Sequence, residues 1–306
     1  MRPIVFVLCS LLLWAQDEPF TNVQSFQFAL VQVPVWVLDK RGRTVDDLKL
    51  KHFQVRVDGQ EVLPEKFQVS HNRPLELVFL LDLSGSMGLG GKLEASVEAI
   101  RYLVKNRKKG DTFRVVVFAD QQTLTIVSDR NESELDSLLD KAKAYGKTAL
   151  FDALSQSPQF FSAGSFGNRA MVLFTDGHDN QSILTEDQVL QVLGLVDVPI
   201  FTVGILDGVF PSDQASEEAL KIDTLKRISE STGGVYFLAK QATELPTIAR
   251  LIEQHMRAHY LLAFTVERGP GEREHRIQVT VKQKSFRVRS RKGYIGFLPE
   301  KVGGKR

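Results

Sequence analysis

The sequence predicts an α/β protein: a doubly wound, mostly parallel sheet inserted in, or flanked by, a small β-sandwich made from the N- and C-terminal segments. Three observations carry this. Apolar strand-like runs recur at residues 76–81, 113–119, 169–175, 198–205 and 234–238. Segments with helical periodicity separate several of them, and that alternation implies a parallel sheet covered on both faces. Residues 25–70 and 259–296, outside this region, show only period-2 strand patterning, and neither has enough strands for a good core of its own.

The chain opens with MRPIVFVLCSLLLWA, a basic Arg2 followed by an apolar run and then polar QDEP. The run is too short to span a bilayer comfortably, so residues 1–15 read as a signal peptide. Cleavage after Ala15 leaves a mature chain with no transmembrane helix. Cys9 is the only cysteine; the bulky Leu8 before it argues against lipidation, and the mature chain keeps no disulfide.

Residues 22–72 form the N-terminal β segment. SFQFALVQVPVWVLD ends in the turn-like Asp39-Lys40-Arg41-Gly42, and FQVRVDGQEV alternates Phe53, Val55 and Val57 around Asp58-Gly59, a two-residue hairpin signal. Residues 74–257 form the α/β domain. LEASVEAIRYLVKN places Leu93, Val97, Ile100 and Val104 on one helical face. NESELDSLLDKAKA opens with Asn131 and Glu134 in a capping-box-like spacing. FADQQTLTIVS, residues 118–128, reads as a hairpin adding an antiparallel edge strand, and LKRISESTGG stops a helix at Gly233-Gly234. The face Leu245, Ile248, Leu251, Ile252 and Met256 reads as core. Residues 258–298 form the C-terminal β segment, expected to pack with residues 22–72, and 299–306 are a tail.

A net charge of +2 argues against nucleic acid as a partner, which calls for a pronounced basic face. The local exception is KSFRVRSRKG, residues 284–293, whose Arg287, Arg289 and Arg291 alternate as on the solvent face of an edge strand.

In open α/β sheets ligands bind outside the carboxyl ends of the strands. Three loops there carry hard oxygen donors: Asp82-Leu83-Ser84-Gly85-Ser86, Gly146-Lys147-Thr148, and Thr175-Asp176-Gly177-His178-Asp179-Asn180. Carboxylates and hydroxyls without sulfur suit a hard divalent cation, Mg²⁺ with Mn²⁺ or Ca²⁺ as alternatives, rather than zinc. Other readings fail on particular residues. A P-loop would need Gly where Ser86 stands and Ser or Thr where Leu93 stands. An aspartyl phosphotransferase would need Asp at Ser84. A helix starting near Leu93 begins too late for Asp82 or Ser84 to cap it. His255 and His259 have zinc-ligand spacing, but Met256 follows His255 where a zinc protease has Glu. Asp179 and His178 read as a solvated loop.

The constellation Asp82-x-Ser84-x-Ser86, Thr148 and Thr175-Asp176-Gly177 resembles the metal-ion-dependent adhesion site of von Willebrand factor type A domains, over about residues 74–257. The flanks, VWVLDKRGRTVDDLKLKHFQVRVDGQEV and FRVRSRKGYIG, are similar to those of exported bacterial proteins of acidobacterial type that carry such domains. The resemblance implies a Rossmann-like fold and a metal site of Asp82, Ser84, Ser86, Thr148 and Asp176. Ser84 and Ser86 would bind the ion directly, Thr148 directly or through water, and Asp82 and Asp176 largely through water. The remaining position would take an Asp or Glu carboxylate from a protein partner. The function expected is thus an exported binding or adhesion module, periplasmic, cell-surface or secreted, and not an enzyme. The rivals are a Mg²⁺-dependent hydrolase or phosphotransferase using the same carboxylates, and a purely structural envelope protein.

Overall fold

In the computed structural model, which describes residues 27–69, 73–162, 168–194, 198–206, 215–257, 260–268 and 273–296, the chain first lays down four strands. These are β1 (Gln27–Leu38), β2 (Phe53–Val57), β3 (Gln60–Val62) and β4 (Lys66–Val69). The turn between β2 and β3 has positive φ at Asp58 (47°) and Gly59 (80°), the backbone that a tight hairpin matched to strand twist demands. The signal peptide with Cys9, the tail and His259 lie outside the described residues.

The α/β region follows: β5 (Leu75–Asp82), α1 (Lys92–Lys105), β6 (Thr112–Ala119), β7 (Gln122–Ser128), α2 (Leu135–Asp140), α3 (Leu150–Ser155), β8 (Asn168–Thr175), α4 (Glu186–Gly194), β9 (Ile200–Ile205), α5 (Ala215–Thr232), β10 (Tyr236–Ala239) and α6 (Leu245–Arg257). Its six-stranded sheet runs β10-β9-β8-β5-β6-β7, with only β7 antiparallel. The expected hairpin at residues 118–128 is therefore present as an edge. Strand β5 is central, and its period-2 alternation divides it between two cores. Leu75, Leu77, Phe79 and Leu81 join Leu93, Ile100 and Val104 of α1 and Leu245, Ile248 and Ile252 of α6. Val78 and Leu80 join Leu150 and Leu154 of α3, Val189 and Leu193 of α4, and Leu225 and Ile228 of α5. Burying each such side chain contributes about 1.5–3 kcal/mol, which is why β5 is apolar from Leu77 to Leu81, between the half-buried Glu76 and the terminal Asp82.

The chain finishes with β11 (Tyr260–Arg268), β12 (Arg273–Val281), β13 (Arg287–Ser290) and β14 (Gly293–Gly296). Early and late strands interleave in two four-stranded sheets, β13-β1-β11-β4 and β14-β12-β2-β3. Their shared core takes Val31, Val33, Val35 and Val37 from β1, Tyr260, Leu262, Phe264 and Val266 from β11, and Phe53, Val55, Ile277 and Val279 from β2 and β12. The opposite face of β1 meets the α/β region. Trp36 is fully buried, lies edge-on to Phe201 of β9 at 6.0 Å, and donates its Nε1–H to the His255 carbonyl.

Three expectations need correction. Strand β13 is an edge as expected, but Arg291 follows it and is 1% exposed; its guanidinium donates to the carbonyls of Gln32, Gly194 and Gly293 at 3.2, 2.6 and 2.8 Å. The alternating arginines therefore do not share a solvent face, because three orphan carbonyls draw one of them inward. Asn131 does not open α2: its Oδ1 accepts from the Ser128 N–H behind it, and α2 starts at Leu135, after a 3₁₀ stretch kinked at Asn131. On α6, Leu251 is 39% exposed and Ala249 takes its expected place in the core.

Candidate metal centre

The strand order reverses direction between β5 and β8: from β5 the chain moves outward to β6, and returns to place β8 on the other side. Loops leaving neighbouring strands at such a point diverge and open a crevice. Asp82 is the last residue of β5, and Asp176 directly follows β8. Parallel register brings Leu81 opposite Phe174, so both carboxylates emerge at one level.

Asp82 is fully buried, and both its oxygens are engaged. The Ser84 N–H donates to Oδ1 and the Thr175 hydroxyl to Oδ2, each at 2.7 Å. Burial pushes its carboxyl up to about 7; the Thr175 and Ser84 bonds oppose that shift, and the nearby Asp176 charge reinforces it. Ser84 is 1% exposed, and its Oγ lies 3.2 Å from Ser86 Oγ. It heads the 3₁₀ turn Gly85–Gly88 without making any side-chain capping bond, and α1 is headed by Gly91. The two serines are therefore turned toward each other and toward the crevice, not spent on a helix end.

Asp176 sits beside them. The Lys92 ammonium, on a side chain only 6% exposed, lies 2.9 Å from its Oδ2. Burial raises the Asp176 carboxyl, yet the Lys92 charge and hydrogen bonds from Ser86 and Lys92 outweigh it and hold the group below the ordinary carboxylate value. The sequence pattern did not single out Lys92 for this site. The available signal was a lysine at the first position of a helix, where the macrodipole disfavours a cation unless a carboxylate compensates it.

The second loop is clamped to the first: Gly85 N–H donates to the Gly146 carbonyl at 3.1 Å, and Tyr145 N–H to the Leu83 carbonyl at 2.7 Å. Gly146 has φ +66°, and a Cβ there would stand 2.4 Å from Asp120 Oδ2, so no other residue fits. Thr148 is 1% exposed; its N–H donates to Asn180 Oδ1, and its carbonyl accepts from Asn180 and Gln181 of the third loop. Its hydroxyl makes no hydrogen bond to any described residue. Asp179 is not part of a solvated loop. Its carboxylate accepts from Ser182 Oγ and from the Phe151 N–H, pinning the third loop to the start of α3.

Hydrogen bonds thus bring Asp82, Ser84, Ser86 and Asp176 into one network, with Thr175 and Lys92, and Thr148 lies on the adjoining loop. The donors fit a small hard cation: facing hydroxyls, one buried carboxylate, and a second carboxylate already half-neutralised. Among the described residues no three His, Cys, Asp or Glu side chains gather as a soft or nitrogen-rich centre would require. Of the two histidines with zinc-ligand spacing, His259 lies outside the described residues, and His255 has its Nδ1 2.7 Å from the Leu251 carbonyl and its ring edge-on to Phe237.

The model of the von Willebrand factor type A domain matches residues 76–251. The chain is 30% identical over 113 residues to the uncharacterized protein YfbK of Escherichia coli (strain K12), a match covering 35% of this chain and 19% of that protein. A von Willebrand factor type A structure from Catenulispora acidiphila aligns with a TM-score of 0.51 at 14% identity, over 90% of this chain and 74% of that one. Proximal thread matrix protein 1 from the mussel byssus, with a zinc-occupied MIDAS motif, aligns with a TM-score of 0.50 at 18% identity, over 65% and 49%. At those identities the two structures speak for the fold.

Proposed function

The chain belongs to the von Willebrand factor type A domain family, and from that premise we propose that it is an exported binding module that captures a protein partner through a divalent cation. Domains of this family commonly mediate protein–protein interaction and are generally not enzymes. The observation that carries the proposal is the network at the switch point, where Ser84 Oγ and Ser86 Oγ face each other at 3.2 Å beside two carboxylates.

In this reading Asp82, Ser84, Ser86, Thr148 and Asp176 hold Mg²⁺, with Mn²⁺ or Ca²⁺ as alternatives. The byssus protein's zinc supports a divalent ion at such a motif. When bound, the ion supplies a Lewis-acidic position attractive to an Asp or Glu carboxylate of the partner. Ser84 and Ser86 offer neutral oxygens, which leave the ion's charge largely unspent. Asp82, held by Thr175 and the Ser84 N–H, orients the serine loop, and Lys92 offsets the charge of Asp176. The binding unit is residues 74–257, carried by a sandwich of residues 22–72 and 258–298. Among the described residues no helix is long and apolar enough to cross a membrane.

The test is a pull-down from the envelope fraction with and without a chelator. Capture is expected to vanish with the chelator and in the Ser84→Ala, Ser86→Ala double variant while the fold persists. Capture that survives both would defeat the proposal, and Asp82-dependent turnover of generic phosphate or ester substrates in Mg²⁺ would favour the enzyme rival.

A further inference from the structure

Each loop of the metal centre also carries a large apolar side chain that the fold leaves in water: Leu89 (58% exposed) on the first, Tyr145 (50%) on the second and Ile183 (78%) on the third. Large apolar residues are this exposed at few other described positions, so their presence on all three site loops is informative. Leu89 and Tyr145 belong to loop tips in contact, since a Cβ on Gly88 would lie 3.0 Å from Ala144 Cβ. Ile183 is held against the start of α3, which follows Thr148, by its own backbone, whose N–H donates to Asp152 Oδ2 at 2.9 Å.

Charge on the same rim is one-sided. KAKAYGK, residues 141–147, puts exposed Lys141, Lys143 and Lys147 around Tyr145. Among the described residues none of the three takes part in an ion pair. The nearby carboxylates are spent internally: Asp120 accepts from the Lys147 N–H, Asp152 from Ile183 and Leu184, and Asp179 from Ser182 and Phe151.

We propose that this rim selects the partner: an acidic peptide segment whose ion-seeking carboxylate is flanked by a large apolar side chain seated against Tyr145 and Leu89, with further acidic residues facing the lysines. The inference rests on the metal-bridge reading and specifies its ligand. A bare carboxylate is common on any protein surface, so the ion alone gives little selectivity. The apolar contact supplies the desolvated anchor, and the lysines steer and orient the acidic segment.

The probe is a random-peptide display library, presented to the immobilised full chain in Mg²⁺ and eluted with a chelator. Eluted sequences are expected to pair Asp or Glu with an adjacent Leu, Ile, Phe, Tyr or Trp, amid excess acid. A selected peptide should bind Leu89→Ser, Tyr145→Ser roughly tenfold more weakly. Lys141→Ser, Lys143→Ser, Lys147→Ser should flatten the salt dependence of its affinity. All these positions are exposed, and a thermal melt checks that the fold is unchanged. Chelator-eluted peptides with isolated carboxylates among neutral polar residues, or indifference to both variants, would overturn the rim while leaving the metal bridge standing. Heparin displacing peptide equally from wild type and from the Leu89/Tyr145 variant would assign the lysines to a polyanion and also overturn it. Retention that ignores the chelator would remove the metal bridge, and this inference with it.

Discussion

Two side chains set the electrostatics of the centre. Asp82 is pushed up to about 7 by burial, above its unfolded value near 3.8. Without an ion, the stability this group contributes is fully present below pH about 4 and is lost as pH rises through about 7. A cation needs the deprotonated carboxylate, so Mg²⁺ affinity should fall about tenfold per pH unit below 7, with proton release on binding. Calorimetry in buffers of differing ionisation enthalpy measures both, and a flat profile from pH 5.5 to 8 would contradict this. Lys92, 2.9 Å from Asp176 Oδ2, acts as an internal counter-ion that a divalent cation must share the carboxylate with. Lys92→Met should destabilise the ion-free protein by about 3–5 kcal/mol, since it leaves a buried charge alone. It should also raise Mg²⁺ affinity by roughly tenfold, because a repulsive charge is gone. A thermal shift that grows with added Mg²⁺ in the variant supports this, and a smaller shift than in wild type would refute it. The electrostatic state of neither residue can be read from the local sequence, because both depend on groups at the end of a strand more than 80 positions away, Thr175 for Asp82 and Asp176 for Lys92.

Among the elements, strands were the most legible. The runs that became β5, β8 and β9 are apolar through their middles, Leu77–Leu81, Ala170–Phe174 and all of β9 but Thr202, because both faces are covered, and Asp58-Gly59 announced its hairpin by chemistry only that turn accepts. Elements decided by distant partners were not legible. Leu251 satisfies the helical period of α6 yet stays 39% exposed, while Ala249 is buried in its stead, because the period alone does not say which turn of the helix the rest of the fold covers. The site loops lie between these cases: their hydroxyls and carboxylates could be read, but the clamps between loops could not. One clamp carries a prediction. With φ +66° and a would-be Cβ 2.4 Å from Asp120 Oδ2, Gly146→Ala should cost about 1–3 kcal/mol of stability. It should weaken Mg²⁺ binding too by displacing Thr148, two residues on. A thermal melt and a Mg²⁺ titration measure the two effects, and unchanged values would mean that the loop is not fixed by this contact.

At the scale of the molecule, the chain builds a sandwich from its two ends and hangs the α/β region between them. Strand patterning implies that the two β segments pair, because neither has enough strands alone, but it does not show what joins the sandwich to the rest. Trp36, edge-on to Phe201, and Arg291, bonded to the carbonyls of Gln32, Gly194 and Gly293, do so. Strand alternation puts Arg291 on the wet face because it says nothing of carbonyls contributed from 97 and 259 positions away. Arg291→Met would leave these acceptors unpaired, at a cost of about 3 kcal/mol or more. Denaturant unfolding should then lose cooperativity while Mg²⁺ binding persists; an unaltered midpoint and slope would show that the two parts are joined elsewhere. Isothermal titration of the chelator-stripped protein with Mg²⁺ should give one site per chain, absent in Ser84→Ala, Ser86→Ala although the circular dichroism spectrum is unchanged, whereas equal binding by the double variant would place any ion elsewhere and contradict the account.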